Sequence, residues 1–122
     1  RGRSNRTALG YPAYSCQFIY VPYDSVEVWT EPGLFQLDET LTPTAVAGCP
    51  PDAFSEDGQL WGNPLYNWDK MKQMNFDWWI RRMAAAGKLY DVIRLDHFRG
   101  FEAYWSVPYS ATTAKAVISF FL

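Results

Sequence analysis

The chain is poor in the residues that build metal and disulfide sites. It has two cysteines and one histidine in 122 residues. Cys16 and Cys49 cannot form the disulfide framework of a small secreted domain, and reduced thiols are the default for so sparse a pair. His97, without a Cys/His cluster around it, argues against a zinc site. No apolar run approaches the ~20 residues that a membrane-spanning helix needs, so no membrane partner is expected. Charge of one sign is lacking too. The net charge of -2 leaves no electrostatic footprint for nucleic acid. Linkers, repeats and low-complexity segments are also missing, so nothing divides the chain into two domains.

Apolar and aromatic residues are plentiful. A hydrophobic share of 48% against 20% charged is that of a globular chain and not a disordered one. The stretch Asp91 to Trp105 organises the rest. It starts as a short apolar strand and breaks into polar and aromatic residues at Gly100. Alternation along a strand puts Val92, Arg94 and Asp96 on one face and Ile93 and Leu95 on the other. Arg94 and Asp96 read either as a structural ion pair at a strand end or as a catalytic carboxylate held ionised by its neighbour. Residue types alone favour the first reading.

The stretch Arg94-Leu95-Asp96-His97-Phe98-Arg99-Gly100-Phe101, followed by Tyr104-Trp105, resembles the nucleophile strand of the 4-alpha-glucanotransferases. These amylomaltases, or disproportionating enzymes, form glycoside hydrolase family 77 of the alpha-amylase clan. A second block is similar too: Val46 to Ser55, running into Gly58-Gln59-Leu60-Trp61-Gly62-Asn63-Pro64-Leu65-Tyr66. Two long motifs in the family's order are far more specific than one short pattern. The resemblance covers about residues 18–113.

The resemblance implies an α/β fold, part of a (β/α)8 barrel with a long loop over the cleft. Such a barrel needs ~250 residues, so this chain is expected to be an internal piece of one. Residues 1–17 and 114–122 do not match the family and are expected to carry no site. Where relatives have Gly-Asp before the first strand, this chain has Ser15 and Cys16. The implied activity is retaining transfer of α-1,4-glucan segments, with a maltooligosaccharide as donor and as acceptor. It calls for no cofactor, and the implied location is the cytoplasm, or the plastid in a plant. An α-glucan hydrolase of the same clan is the nearest alternative. A non-catalytic carbohydrate binder using Trp61, Tyr104 and Trp105 as a stacking platform is the other.

Retaining transfer needs two carboxyl groups ~5–5.5 Å apart. By resemblance, Asp96 is the nucleophile, and Arg94 and His97 are its active-site neighbours. A guanidinium within ~4–6 Å would favour the carboxylate form of Asp96. The proton donor and third carboxylate of the family should lie beyond Leu122. Asp57, Asp91 and Glu102 do not match those positions, so the chain alone is expected to be inactive. Prolines and glycines make residues 48–66 read as a loop, and the resemblance implies that this loop lies over the cleft and lines sugar subsites. Asp52, Phe54, Ser55, Gln59, Trp61 and Asn63 are its candidate contacts. At Ala53 the chain departs from relatives that carry Tyr.

Elsewhere the pattern is one of packing elements. Phe18 to Val21 reads as a strand closed by Pro22, followed by a short helix capped by Asp24 or Ser25, with Glu27 completing a capping box, and stopped by Pro32-Gly33. Residues 34–37 and 44–47 read as extended segments with Phe35, Leu37 and Val46 packing. Trp68 to Gln73 suits a short helix. A second helix, capped by Asn75 and ended by Gly87, carries the apolar stripe Phe76, Trp79, Ile80, Met83 and Ala84. Trp78 falls off that stripe.

Overall fold

The computed structural model describes residues 12–115 in full and 118–121 as backbone. The expected non-matching ends at 1–17 and 114–122 therefore lie partly outside the described residues. The elements run β1 (Tyr14–Phe18), α1 (Val26–Thr30), β2 (Ala45–Cys49), β3 (Gln59–Pro64), α2 (Trp68–Gln73), α3 (Asp77–Leu89), β4 (Val92–Asp96), β5 (Ala103–Pro108) and β6 (Ile118–Phe121). Short 3-10 turns occupy Pro32–Leu34 and Phe98–Phe101. The result is a small mixed α/β unit. β1 and β4 pair in parallel, with Tyr14 opposite Val92 and Phe18 opposite Asp96. The other strands form an antiparallel sheet in the order β3-β2-β5-β6.

β1 starts and ends earlier than the apolar run suggests. Ile19, Tyr20 and Val21 follow it as irregular chain, at 0%, 4% and 5% exposure. Buried backbone outside a ladder must find other partners, and here side chains supply them. Tyr66 Oη donates to the Ile19 carbonyl at 2.6 Å, and Asn63 Nδ2 to that of Val21 at 3.0 Å. Pro22, lacking an N–H, could not have continued a ladder.

α1 is capped by Ser25, whose Oγ accepts from Val28 N. The cap is thus Ser25, and its position three residues on is Val28, so Glu27 completes no capping box. α2 has the expected bounds, with Asn67 as its cap. Asn75 behaves differently from its expected role. It and Phe76 take left-handed φ of 51° and 56° and close α2, with Phe76 N donating to Met71 O. α3 then starts at Asp77 with no side-chain cap. Asn is among the residues that tolerate the left-handed region, which is the use made of it here.

The period of α3 is as expected, but its phase is not. Trp78, Trp79 and Ala86 are buried, while Phe76 and Ile80 are 43% and 62% exposed. Met83 lies between. The buried stripe therefore includes Trp78 and the charged Arg82, a residue a hydrophobic pattern assigns to the outside. Gly87 stays within the helix, which runs to Leu89. Arg81 holds the outer side, bonded to Asp77 at 2.7 Å and to Glu31 at 2.9 Å.

Residues 48–66 are not one loop. β2 reaches Cys49 and pairs with β3, leaving only 50–58 as the connection. Gly48 belongs to this ladder. A Cβ on it would lie 2.6 Å from the Gln59 carbonyl oxygen, so glycine permits a close strand approach where the sequence suggested a loop. β5 also appears where no strand was expected, pairing with β2 from Ala45 opposite Pro108 to Gly48 opposite Trp105. The main core joins residues 19–21, α1, β2, α2 and α3 around Tyr66, which is fully buried.

Candidate active site

The carboxyl ends of β1 and β4 lie side by side. Adjacent partners in a sheet point the same way, so Phe18 shares a face with Asp96, and Cys16 with Arg94. β4 alternates as expected: Val92, Arg94 and Asp96 are exposed, while Ile93 and Leu95 are half-buried. The expected ion pair does not form. Among the described residues, ion pairs join Arg81 to Glu31 and Asp77, and Lys115 to Asp57. Arg94 and Asp96 are open to solvent on their strand face, where neither needs the other to offset burial.

Immediately after Asp96 the chain turns through His97, whose φ of 56° is left-handed. That turn carries the imidazole back over the end of β1. Its ring stands 5.0 Å from Trp61, 5.9 Å from Tyr20 and 6.1 Å from Phe18, centroid to centroid. Trp61 meets it edge-on, at 88° between planes, and also contacts Phe18 at 5.4 Å. Gly100 backs the turn, its N–H donating to the His97 carbonyl at 2.9 Å. Burial lowers the His97 pKa; Asp96 pulls it up and Arg99 down. Burial is the largest of these, so the neutral ring is favoured. Tyr20, beneath this cluster, has its hydroxyl pKa pushed well up by burial and then by Tyr104.

Of the six loop candidates, the structure brings only Trp61 to this place by a described contact. Gln59 Oε1 accepts from Trp61 Nε1 at 3.0 Å and so orients that ring. Asp52 Oδ1 accepts from the N–H groups of Phe54 and Ser55, both at 2.8 Å. Ser55 Oγ donates to the Gly58 carbonyl. Asp52, Ser55 and Asn63 thus have structural work, shaping the 50–58 connection or holding β3 to Val21. Phe54 projects from the connection at 98% exposure. The three-aromatic platform does not exist. Neighbours on β5 face opposite ways, so Tyr104 packs on the main core and Trp105 on a second cluster, bonded to Ala114 O.

Three participants escaped the sequence reading. By sequence, Phe18 and Tyr20 read as strand residues without a site role. Arg82 lies off the expected apolar stripe. A signal for Arg82 did exist: it lies four and three residues after Trp78 and Trp79, within reach of both rings. Among the described residues no group of three or more His, Cys, Asp or Glu is placed to hold a metal.

Comparison with known proteins agrees with the motifs. The family model described as 4-alpha-glucanotransferase, glycoside hydrolase 77, matches residues 18–118. A 4-alpha-glucanotransferase of Clostridium butyricum is 58% identical over 98 residues, covering 80% of this chain and 20% of its own length. One from Thermus thermophilus is 52% identical over 112 residues, covering 92% and 22%. The amylomaltase from Streptococcus agalactiae in complex with acarbose superposes with a TM-score of 0.91 at 49% identity, over 94% of this chain and 23% of that one. The chain thus spans about a fifth of the length of the relatives it matches.

Proposed function

The chain belongs to the 4-alpha-glucanotransferase family, and from that membership we propose that it forms the nucleophile-bearing part of a retaining α-1,4-glucan transferase. In this reading the parallel β1–β4 pair, with α3 between them in sequence, belongs to a (β/α)8 barrel completed by further chain. Barrel chemistry gathers at the carboxyl ends of strands, where Asp96 and Phe18 stand. The observation that carries the reading is Asp96 ending β4 at the left-handed His97 turn, with Trp61 against the imidazole.

The chemistry follows from two carboxyl groups. An Asp96 carboxylate oxygen attacks the anomeric carbon of the donor glucan. The glycosidic C–O bond breaks, and the second carboxyl, outside this chain, protonates the departing oxygen. A glucosyl ester on Asp96 results. The 4-hydroxyl of an acceptor glucan then attacks the same carbon, freeing Asp96 and returning its proton to the second carboxyl. Arg94 stands on the Asp96 face as an active-site neighbour and offers its cation to the bound glucan. His97, favoured neutral, offers a hydrogen bond to a sugar hydroxyl without adding charge. Trp61 offers the edge of an aromatic wall, and Phe54 an apolar ring at the tip of the connection. Positioning an acceptor supplies an effective molarity on the order of 10⁵ M or more, enough to compete with water.

Incubation of the full-length enzyme with maltotriose tests the reading. Glucose together with a ladder of longer glucans is the expected product. Glucose and maltose alone would make it a hydrolase, and unchanged maltotriose would refute catalysis.

A further inference from the structure

Arg82 is half-buried on the inner side of α3, and its guanidinium reaches the carboxyl end of β1. Nη2 donates to the Phe18 carbonyl at 2.9 Å, and Nη1 to the Ile19 carbonyl at 3.2 Å. Nη1 also reaches the Tyr66 hydroxyl at 3.4 Å, and that hydroxyl donates to the same Ile19 carbonyl. The cation lies 5.2 Å and 5.0 Å from the Trp78 and Trp79 ring centres. A planar fork stacked on rings and bonded to two consecutive carbonyls is a geometry that lysine cannot reproduce.

Those two carbonyls belong to the residues that meet the reacting strand. Phe18 is the sheet partner of Asp96, and its ring contacts both His97 and Trp61. Ile19 presses on Gly100, at the back of the His97 turn. The ladder between β1 and β4 ends at this point, so it no longer determines the path of the chain beyond Phe18. Arg82 and Tyr66 determine it instead.

We propose that Arg82 is a positioning residue for the transfer reaction: it fixes the end of β1 and so sets the placement of Asp96 and His97 relative to the glucan. The proposal rests on the reading of Asp96 as nucleophile. It goes beyond that reading by placing part of the reaction's geometric control in α3, on a side chain that touches neither glucan nor nucleophile. A displacement of ~1 Å at a reacting group can cost ~10²-fold in rate, so loss of this clamp is expected to act on kcat.

The test uses the full-length enzyme with Arg82→Ala, Arg82→Lys and Tyr66→Phe, first checked for cooperative unfolding and for maltotriose binding. Arg82→Ala is expected to lower kcat by about 10²-fold with KM changed less than about threefold. Guanidinium ion at millimolar concentration should restore part of that loss, by refilling the space over the two indoles. Arg82→Lys should fall between, since it keeps the charge but not the fork. A folded Arg82→Ala enzyme with kcat within about twofold of wild type would overturn the proposal. So would a kcat loss that guanidinium leaves untouched while the folded fraction falls in step. If neither Arg82 variant folds, Tyr66→Phe decides: a severalfold fall in kcat supports the clamp, and an unchanged kcat refutes it. Inactive wild-type enzyme would instead strike at the transferase reading itself.

Discussion

Gly100 leaves open the space that the His97 ring fills. A Cβ at Gly100 would fall 2.9 Å from His97 Cδ2, 3.3 Å from Nε2 and 3.1 Å from Ile19 Cδ1. The imidazole cannot retreat freely, because Trp61, Tyr20 and Phe18 surround it. Gly100→Ala is therefore expected to destabilise the full-length enzyme by about 1–3 kcal/mol, the usual cost of overpacking. It should also reduce transfer as His97 is displaced. Thermal unfolding and maltotriose turnover check the two effects; an unchanged midpoint would mean that the turn absorbs the methyl group.

Asp96→Asn replaces one carboxylate oxygen with an amide nitrogen while keeping the side-chain shape, and so tests the proposed nucleophile. Transfer is expected to fall by about 10⁴-fold or more, the scale seen when one member of a catalytic unit is lost. Glucan binding should survive, because Asp96 makes no described contact that holds the site together. Isothermal titration with maltotriose beside a turnover assay measures both, and near-normal turnover would falsify the assignment.

Trp61, on β3, bridges the end of β1 and the turn after β4, since its ring meets both Phe18 and His97. Trp61→Ala should weaken donor binding and raise hydrolysis relative to transfer. The readout is glucose released against glucan transferred. An unchanged ratio with unchanged affinity would leave Trp61 a packing residue only.

His97 links the site to pH. Burial holds its pKa below the usual value of 6.5. The unfolded chain therefore binds more protons than the folded one as pH falls below about 6.5. The stability that goes with the neutral ring is present above that pH and is lost on acidification towards the folded pKa. His97→Asn, which tolerates the left-handed turn, should remove this part of the pH dependence. Unfolding midpoints at pH 7.5 and pH 5.5 for both proteins provide the check; equal acid losses would show that His97 does not titrate in this window.

What the sequence determined by itself was local or carried by a motif. The α2 bounds, the stop at Pro32-Gly33 and the alternation of β4 each depend on residues within a few positions of one another. The family motif from Arg94 to Trp105 was readable because its residues are contiguous. Tertiary structure decided whatever required a partner far along the chain. The phase of α3 turns on Arg82, whose burial is possible only because carbonyls 63 and 64 residues away accept its protons. Residues 59–64 became a strand because β2 and β3 could close on each other at Gly48. Trp61 stood out from its loop companions only once the His97 turn brought the two rings together. Arg94 and Asp96 stayed apart for the converse reason: their face of β4 meets water in this chain, and a solvated charge has no need of a neighbour.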